Sequence, residues 1–172
     1  MKYIVGAYAS SPSLSSSLDK SLESQFYKRL IESVPDMLGL EIPFFGDEIH
    51  KFGSDFLLKI LRPDWNNVLT CMPGTMANLS IDPKYGIASD DYSCRMAAVS
   101  MYKRANNSIH KINDLHGRKS IIAVQIATAP SVPVKGVSSS KSSLLRSMEE
   151  ILSLDWQGAR VVIEHADAAT LE

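Results

Sequence analysis

Leu38-Gly39-Leu40-Glu41-Ile42-Pro43-Phe44-Phe45 runs directly into Gly46-Asp47-Glu48, and the reading of this stretch decides the fold. A compact apolar run closed by turn residues is the pattern of a strand buried on both faces, with a loop at its carboxyl end. Upstream the period changes to about four: Leu18, Leu22, Phe26 and Leu30 draw an apolar stripe on a helix that ends before Pro35. Before that helix, Tyr3 to Tyr8 is another short apolar run, closed by Ala9-Ser10-Ser11-Pro12. Downstream, Phe56, Leu57, Ile60 and Leu61 mark a helix that stops before Pro63, and Asn67 to Met72 gives a third strand before Pro73-Gly74.

The same alternation continues to the end of the chain. Gly74 to Ser89 has no sustained period and reads as a long loop, a class that tends to carry function. From Asp90 onward, Tyr102, Ala105, Ile109 and Ile112 trace a long helix, opened by the acidic pair Asp90-Asp91 and closed near Gly117. Ser120 to Ala127 is the fourth strand, and Leu145, Met148, Ile151 and Leu152 mark the next helix. Trp156-Gln157-Gly158 turns the chain into the fifth strand, Ala159 to Glu164. Strict alternation means parallel strands joined by helical crossovers, because a tight hairpin cannot connect parallel neighbours. The first strand's exit lacks both the glycine fingerprint of a dinucleotide site and a phosphate-cradling Gly-Lys-Ser, which favours a barrel over a doubly wound sheet. The expected fold class is therefore α/β, a partial (β/α)8 TIM barrel of about five parallel strands, with residues 1–172 as a single domain.

Bulk properties exclude several partners. The formal net charge is −1 and the pI near 6.4, so no surplus of Lys and Arg exists to neutralise nucleic acid or an anionic membrane. No stretch approaches the roughly 18 uninterrupted apolar residues that cross a bilayer, and the short run at the amino terminus does not read as a secretory signal. Cys71 and Cys94 have no zinc or disulfide spacing, which suits a reducing compartment. The expectation is a soluble cytoplasmic protein.

Candidate chemistry sits at strand ends. Glu164 follows Val161-Val162-Ile163, where an ionised carboxylate is costly to bury without a cation or a hydrogen-bonded partner. Glu41 interrupts the second strand and is the second carboxylate, suited to orient a substrate hydroxyl or to pair as a structural charge. Gln125, in Ala-Val-Gln-Ile-Ala, can present its amide to sugar hydroxyls or bond to backbone. His50 lies in a loop at the carboxyl end of a strand, where barrel sites sit. His165 and Asp167 follow Glu164 and suit either orienting a ligand from the loop or a solvated turn or helix cap. His110 and His116 fall on or beyond the long helix, Cys71 reads as a core residue, and no Gly-x-Ser-x-Gly elbow supports a hydrolase triad.

Two motifs carry a resemblance. Leu38-Gly39-Leu40-Glu41-Ile42-Pro43 and Val161-Val162-Ile163-Glu164-His165-Ala166-Asp167-Ala168 resemble the xylose-isomerase-like TIM barrels of sugar and sugar-phosphate isomerases and epimerases. More narrowly, the chain resembles the amino-terminal part of an uncharacterised bacterial domain-of-unknown-function family with that fold. The resemblance implies a divalent ion (Mn, Mg or Zn) at the carboxyl ends of the strands, with Glu164 at the position of the first ligand. With Glu164, Glu41 is the candidate catalytic carboxylate, and Gln125, His50 and His165 are the candidates for contact with the substrate. The other ligands of such barrels come from later strands, so weak or no metal binding is expected here. A (β/α)8 barrel takes about 250 residues; this chain is expected to be an inactive truncated piece of an isomerase or epimerase of carbohydrate metabolism. The alternative is a non-catalytic half-barrel that self-associates, as a homodimer, through exposed strand edges.

Overall fold

The structure is a computed structural model that describes residues 2–12, 18–130 and 135–164. Among the described residues, five strands form one sheet: β1 (Tyr3–Val5), β2 (Met37–Pro43), β3 (Asn67–Thr70), β4 (Ile121–Ala127) and β5 (Arg160–Glu164). All four pairings are parallel and the spatial order is β1-β2-β3-β4-β5. This order separates the two architectures left open by alternation. A doubly wound sheet reverses direction at a switch point, whereas here each strand lies beside its predecessor, as in part of a barrel wound in one sense.

The helices are α1 (Lys20–Ser33), α2 (Ser54–Leu58), α3 (Met72–Ile81), α4 (Tyr92–His116) and α5 (Lys141–Leu152). Helix α4 supplies the largest buried face: Ala98, Met101, Tyr102, Ala105, Ile109 and Ile112 recur at helical spacing and are all buried. Its ends are set locally. The Asp91 carboxylate accepts from the backbone of Ser93 and Cys94, and Gly117 closes the helix in the left-handed conformation at φ +63°. Asn113, in the last turn, accepts from the backbone N–H groups of Ser120 (2.8 Å) and Ile121 (3.1 Å), which fixes where β4 begins.

Several expectations need correction. The segment read as a loop from Gly74 contains α3, which starts at Met72; Pro73 is tolerated there because the first helical N–H groups have no intrahelical acceptor. The apolar run Tyr3 to Tyr8 is a strand only to Val5, after which Ala7–Ser10 forms a single 3-10 turn. In α1 the stripe drawn through Leu18 and Leu22 is exposed, and the fully buried positions are Glu23 and Tyr27. Apolar character misjudged that face because its centre is a carboxyl group that finds partners only through the tertiary fold. Among the described residues, no helix is long and apolar enough to cross a membrane.

Candidate functional site at the carboxyl ends of the strands

Alternation along each strand sorts the candidates. Leu40, Ile42, Leu69, Val124 and Ile126 are fully buried in the core. The register then puts Glu41, Val68, Ala123 and Arg160 in one row of the opposite face, with Thr70, Gln125 and Val162 in the next. Glu164 pairs with Ala127, two residues beyond Gln125, and so shares that face. Glu41, Gln125 and Glu164, picked from three different strands, thus lie on one side of the sheet.

Tyr8 joins them from the 3-10 turn after β1. Burial, and then the charges of Glu41 and Glu164, push its phenol above the ordinary tyrosine range, so it remains a hydrogen-bond donor well past neutral pH. Burial, followed by the Glu164 charge, also raises the Glu41 carboxyl above its usual value. Close approach is built into the backbone. A Cβ at Gly6 would stand 2.7 Å from a Glu41 carboxylate oxygen, so a larger residue there would make the Glu41 side chain shift from its place beside the end of β1. The sequence does not single out Tyr8, because it closes an apolar run with the pattern of a strand. A hydroxyl-bearing aromatic immediately after a strand's carboxyl end is the signal that could have found it.

Gln125 is half-buried, and its side-chain oxygen has no hydrogen-bond partner among the described residues. A buried amide oxygen left unpaired is costly and stands ready for a donor on a ligand. A divalent cation of the magnesium or calcium type takes six or more oxygen ligands. Among the described residues no three His, Cys, Asp or Glu side chains converge as such a site requires. Glu41 and Glu164 alone do not complete such a site.

His50 lies in a separate buried cluster. Its Nε2 donates to Glu23 Oε1 at 3.0 Å, and its Nδ1 accepts from the backbone of Phe52 at 3.1 Å, which fixes the neutral tautomer. Ser11 Oγ donates to the same Glu23 oxygen at 2.5 Å. Ser11, Glu23 and His50 are 4%, 0% and 3% exposed, and the Phe52 and Phe56 rings pack on the imidazole. Burial holds the His50 pKa below the ordinary histidine value in spite of Glu23. With serine and histidine both addressing the carboxyl group, this is not a nucleophile-base pair. It ties together the turn that carries Tyr8, helix α1 and the loop after β2.

The loops beyond β3 and β4 are clasped as well. The Asp90 carboxylate accepts from the hydroxyls of Ser138 (2.6 Å), Ser140 (2.5 Å) and Ser143 (2.8 Å), which holds its pKa down at about 2. His165 and Asp167 lie outside the described residues. His110 bonds to the Asp155 carbonyl and His116 to Ser120, both toward the amino end of the sheet, and Cys71 is fully buried with its thiol pKa pushed up by burial.

Sheet and site together define a parallel α/β chain with acidic, phenolic and amide groups gathered at the carboxyl ends of its strands. The chain belongs to the family described as Domain of unknown function (DUF4862), whose model matches residues 4–172. It is 33% identical over 168 residues to an uncharacterized protein of Salmonella typhimurium, a match covering 98% of this chain and 53% of that protein. The chain thus spans about half the length of the curated relative it matches. No solved structure matches the chain.

Proposed function

We propose that this chain carries part of the active site of a sugar or sugar-phosphate isomerase or epimerase of the xylose-isomerase-like kind, with the metal dependence that such a relationship implies. The observation that carries the reading is that burial and the Glu164 charge raise the Glu41 carboxyl, and burial and both carboxylates raise the Tyr8 phenol, on the face that also bears a Gln125 oxygen unpaired among the described residues. Neighbouring carboxyl groups that disfavour one another's charge suit proton transfer, because one can hold the proton that the other does not. In this scheme Glu41 and Glu164 move a proton on the carbon next to a carbonyl, while Gln125 and Tyr8 bond to substrate hydroxyls. Glu164 is also the chain's contribution to a divalent ion; the remaining donors come from outside the described residues. His50 acts at a distance, by holding the Tyr8 turn through Glu23.

The test follows solvent deuterium into the carbon next to the carbonyl of a panel of ketoses, aldoses and their phosphates, by NMR with manganese or magnesium present. The Salmonella relative is expected to exchange at least one of them, and this chain alone little or none. Exchange by neither protein for any member of the panel sinks the reading. A second arm needs no turnover: Glu164→Gln is expected to lower the Tyr8 and Glu41 pKa values, since a repelling charge is removed. Unmoved titrations would mean that the carboxyl groups are not one site.

A second reading, self-association as a non-catalytic half-barrel, is favoured by the sheet edges. On edge strand β5, Val162 and Ile163 are 43% and 56% exposed, and on edge strand β1 Tyr3 is 46% exposed. Apolar edge strands recruit other strands. Light scattering is expected to find dimers of this chain at high concentration, and a persistent monomer would rule that reading out.

A further inference from the structure

On the outer surface, away from the carboxyl groups of the strand ends, a groove of about 500 Å³ runs between α1 and α2. Its floor is apolar: Tyr27 and Phe56 are buried beneath it, and Ile31 and Ile60 are half-exposed along it. Its rim carries Lys20, Lys28 and Lys59 against a single acidic residue, Glu32. None of the three lysines forms an ion pair with a carboxylate among the described residues. The Lys20 ammonium instead lies over the Phe56 ring, 5.8 Å from its centre. A chain of nearly balanced charge has thus concentrated cations around one apolar trough.

We propose that this groove binds a small amphiphilic anion, an aliphatic or aromatic body bearing one carboxylate or phosphate head. The volume lies within the roughly 300–1,000 Å³ of small-molecule sites, and an apolar lining with a few charged groups is their usual character. The body removes Ile31 and Ile60 from water, and the head replaces water around three ammonium groups that form no ion pair among the described residues and outnumber the one rim acid, Glu32. Lys20 leaves the Phe56 ring to meet the head, so the ring becomes available to the body as the ammonium moves off it. The groove shares no residue with the strand-end site, and this inference stands independently of the proposed activity.

Octanoate, octyl phosphate and uncharged 1-octanol are the probes, titrated against the chain while amide and side-chain NMR shifts are followed. Saturable binding of at least one anion is expected, with shifts centred on Ile31, Phe56 and Ile60. Octanol is expected to bind about tenfold more weakly, the weight of one charge-assisted contact. Tighter octyl phosphate identifies a phosphate head, and equal or tighter octanoate a carboxylate head. The double substitution of Lys20→Gln and Lys59→Gln is expected to bring the anions down toward the level of octanol. Octanol binding as tightly as the anions, shifts confined to the exposed edge at Val162 and Ile163, or an unchanged affinity in the double variant would each overturn the proposal.

Discussion

Gly39→Ala is expected to destabilise the fold by roughly 3 kcal/mol or more, although it adds one methyl group. A Cβ at this position would stand 2.0 Å from the Asn66 carbonyl oxygen, 2.6 Å from its carbon and 3.0 Å from Asn67 Oδ1. Two of these neighbours are backbone, so no side-chain rotation relieves the clash. Moving β3 away would stretch the bonds that join it to β2 here, Asn66 N to Leu38 O at 2.8 Å and Leu40 N to Asn67 Oδ1 at 2.9 Å. Since whole domains are stable by about 5–15 kcal/mol, urea denaturation should show a large fall in midpoint. A shift under about 0.5 kcal/mol, the range of surface changes, would mean that the strands do not approach this closely.

Glu23→Ala comes next, with an expected loss of about 3 kcal/mol. The substitution takes an acceptor from the Ser11 hydroxyl and from His50 Nε2, and a buried donor deprived of its acceptor costs about 1–3 kcal/mol. Glu23→Gln, which keeps an acceptor oxygen, should recover part of the loss, and equal stability of the Ala and Gln variants would contradict this account. The pH dependence has a definite sign. His50 has a folded pKa below 6.5, so above that pH it is neutral in both states and contributes no slope. As the pH falls below 6.5 the unfolded chain takes up the proton first, and stability declines until the lower folded pKa is passed. Glu23 raises the His50 pKa; its removal should therefore extend this acid-labile range downward. A Glu23→Ala protein whose stability between pH 6.5 and 5 were flat would contradict the buried neutral imidazole.

The three central strands were legible because each is buried enough to write its own signal, whereas β1 and β5 show only as short apolar runs. Leu40 and Ile42, Leu69, and Val124 and Ile126 form short apolar runs that need no knowledge of the rest of the chain. Helix α4 was legible for a related reason, since a 25-residue helix repeats its buried face many times. Helix α3 was hidden by Pro73 and Gly74, which announce a turn in the sequence but here occupy a helix start packed against β2, with Gly74 N bonded to Phe44 O at 2.9 Å. The common face of Glu41, Gln125 and Glu164 follows from parallel register, which no single segment encodes. Least legible was the Ser11–Glu23–His50 tie. Its members lie 12 and 27 residues apart, and nothing local distinguishes Glu23 from an exposed helical acid.

The order β1-β2-β3-β4-β5 also bears on how the chain acquires its shape. Every ladder joins a strand to the one synthesised just before it, so no pairing has to wait for a distant segment. Loop-closure entropy is then met in instalments of one strand-helix unit, the smallest crossover a parallel pair allows. Growth unit by unit suits an emerging nascent chain, in which each new crossover can dock on a sheet that already exists.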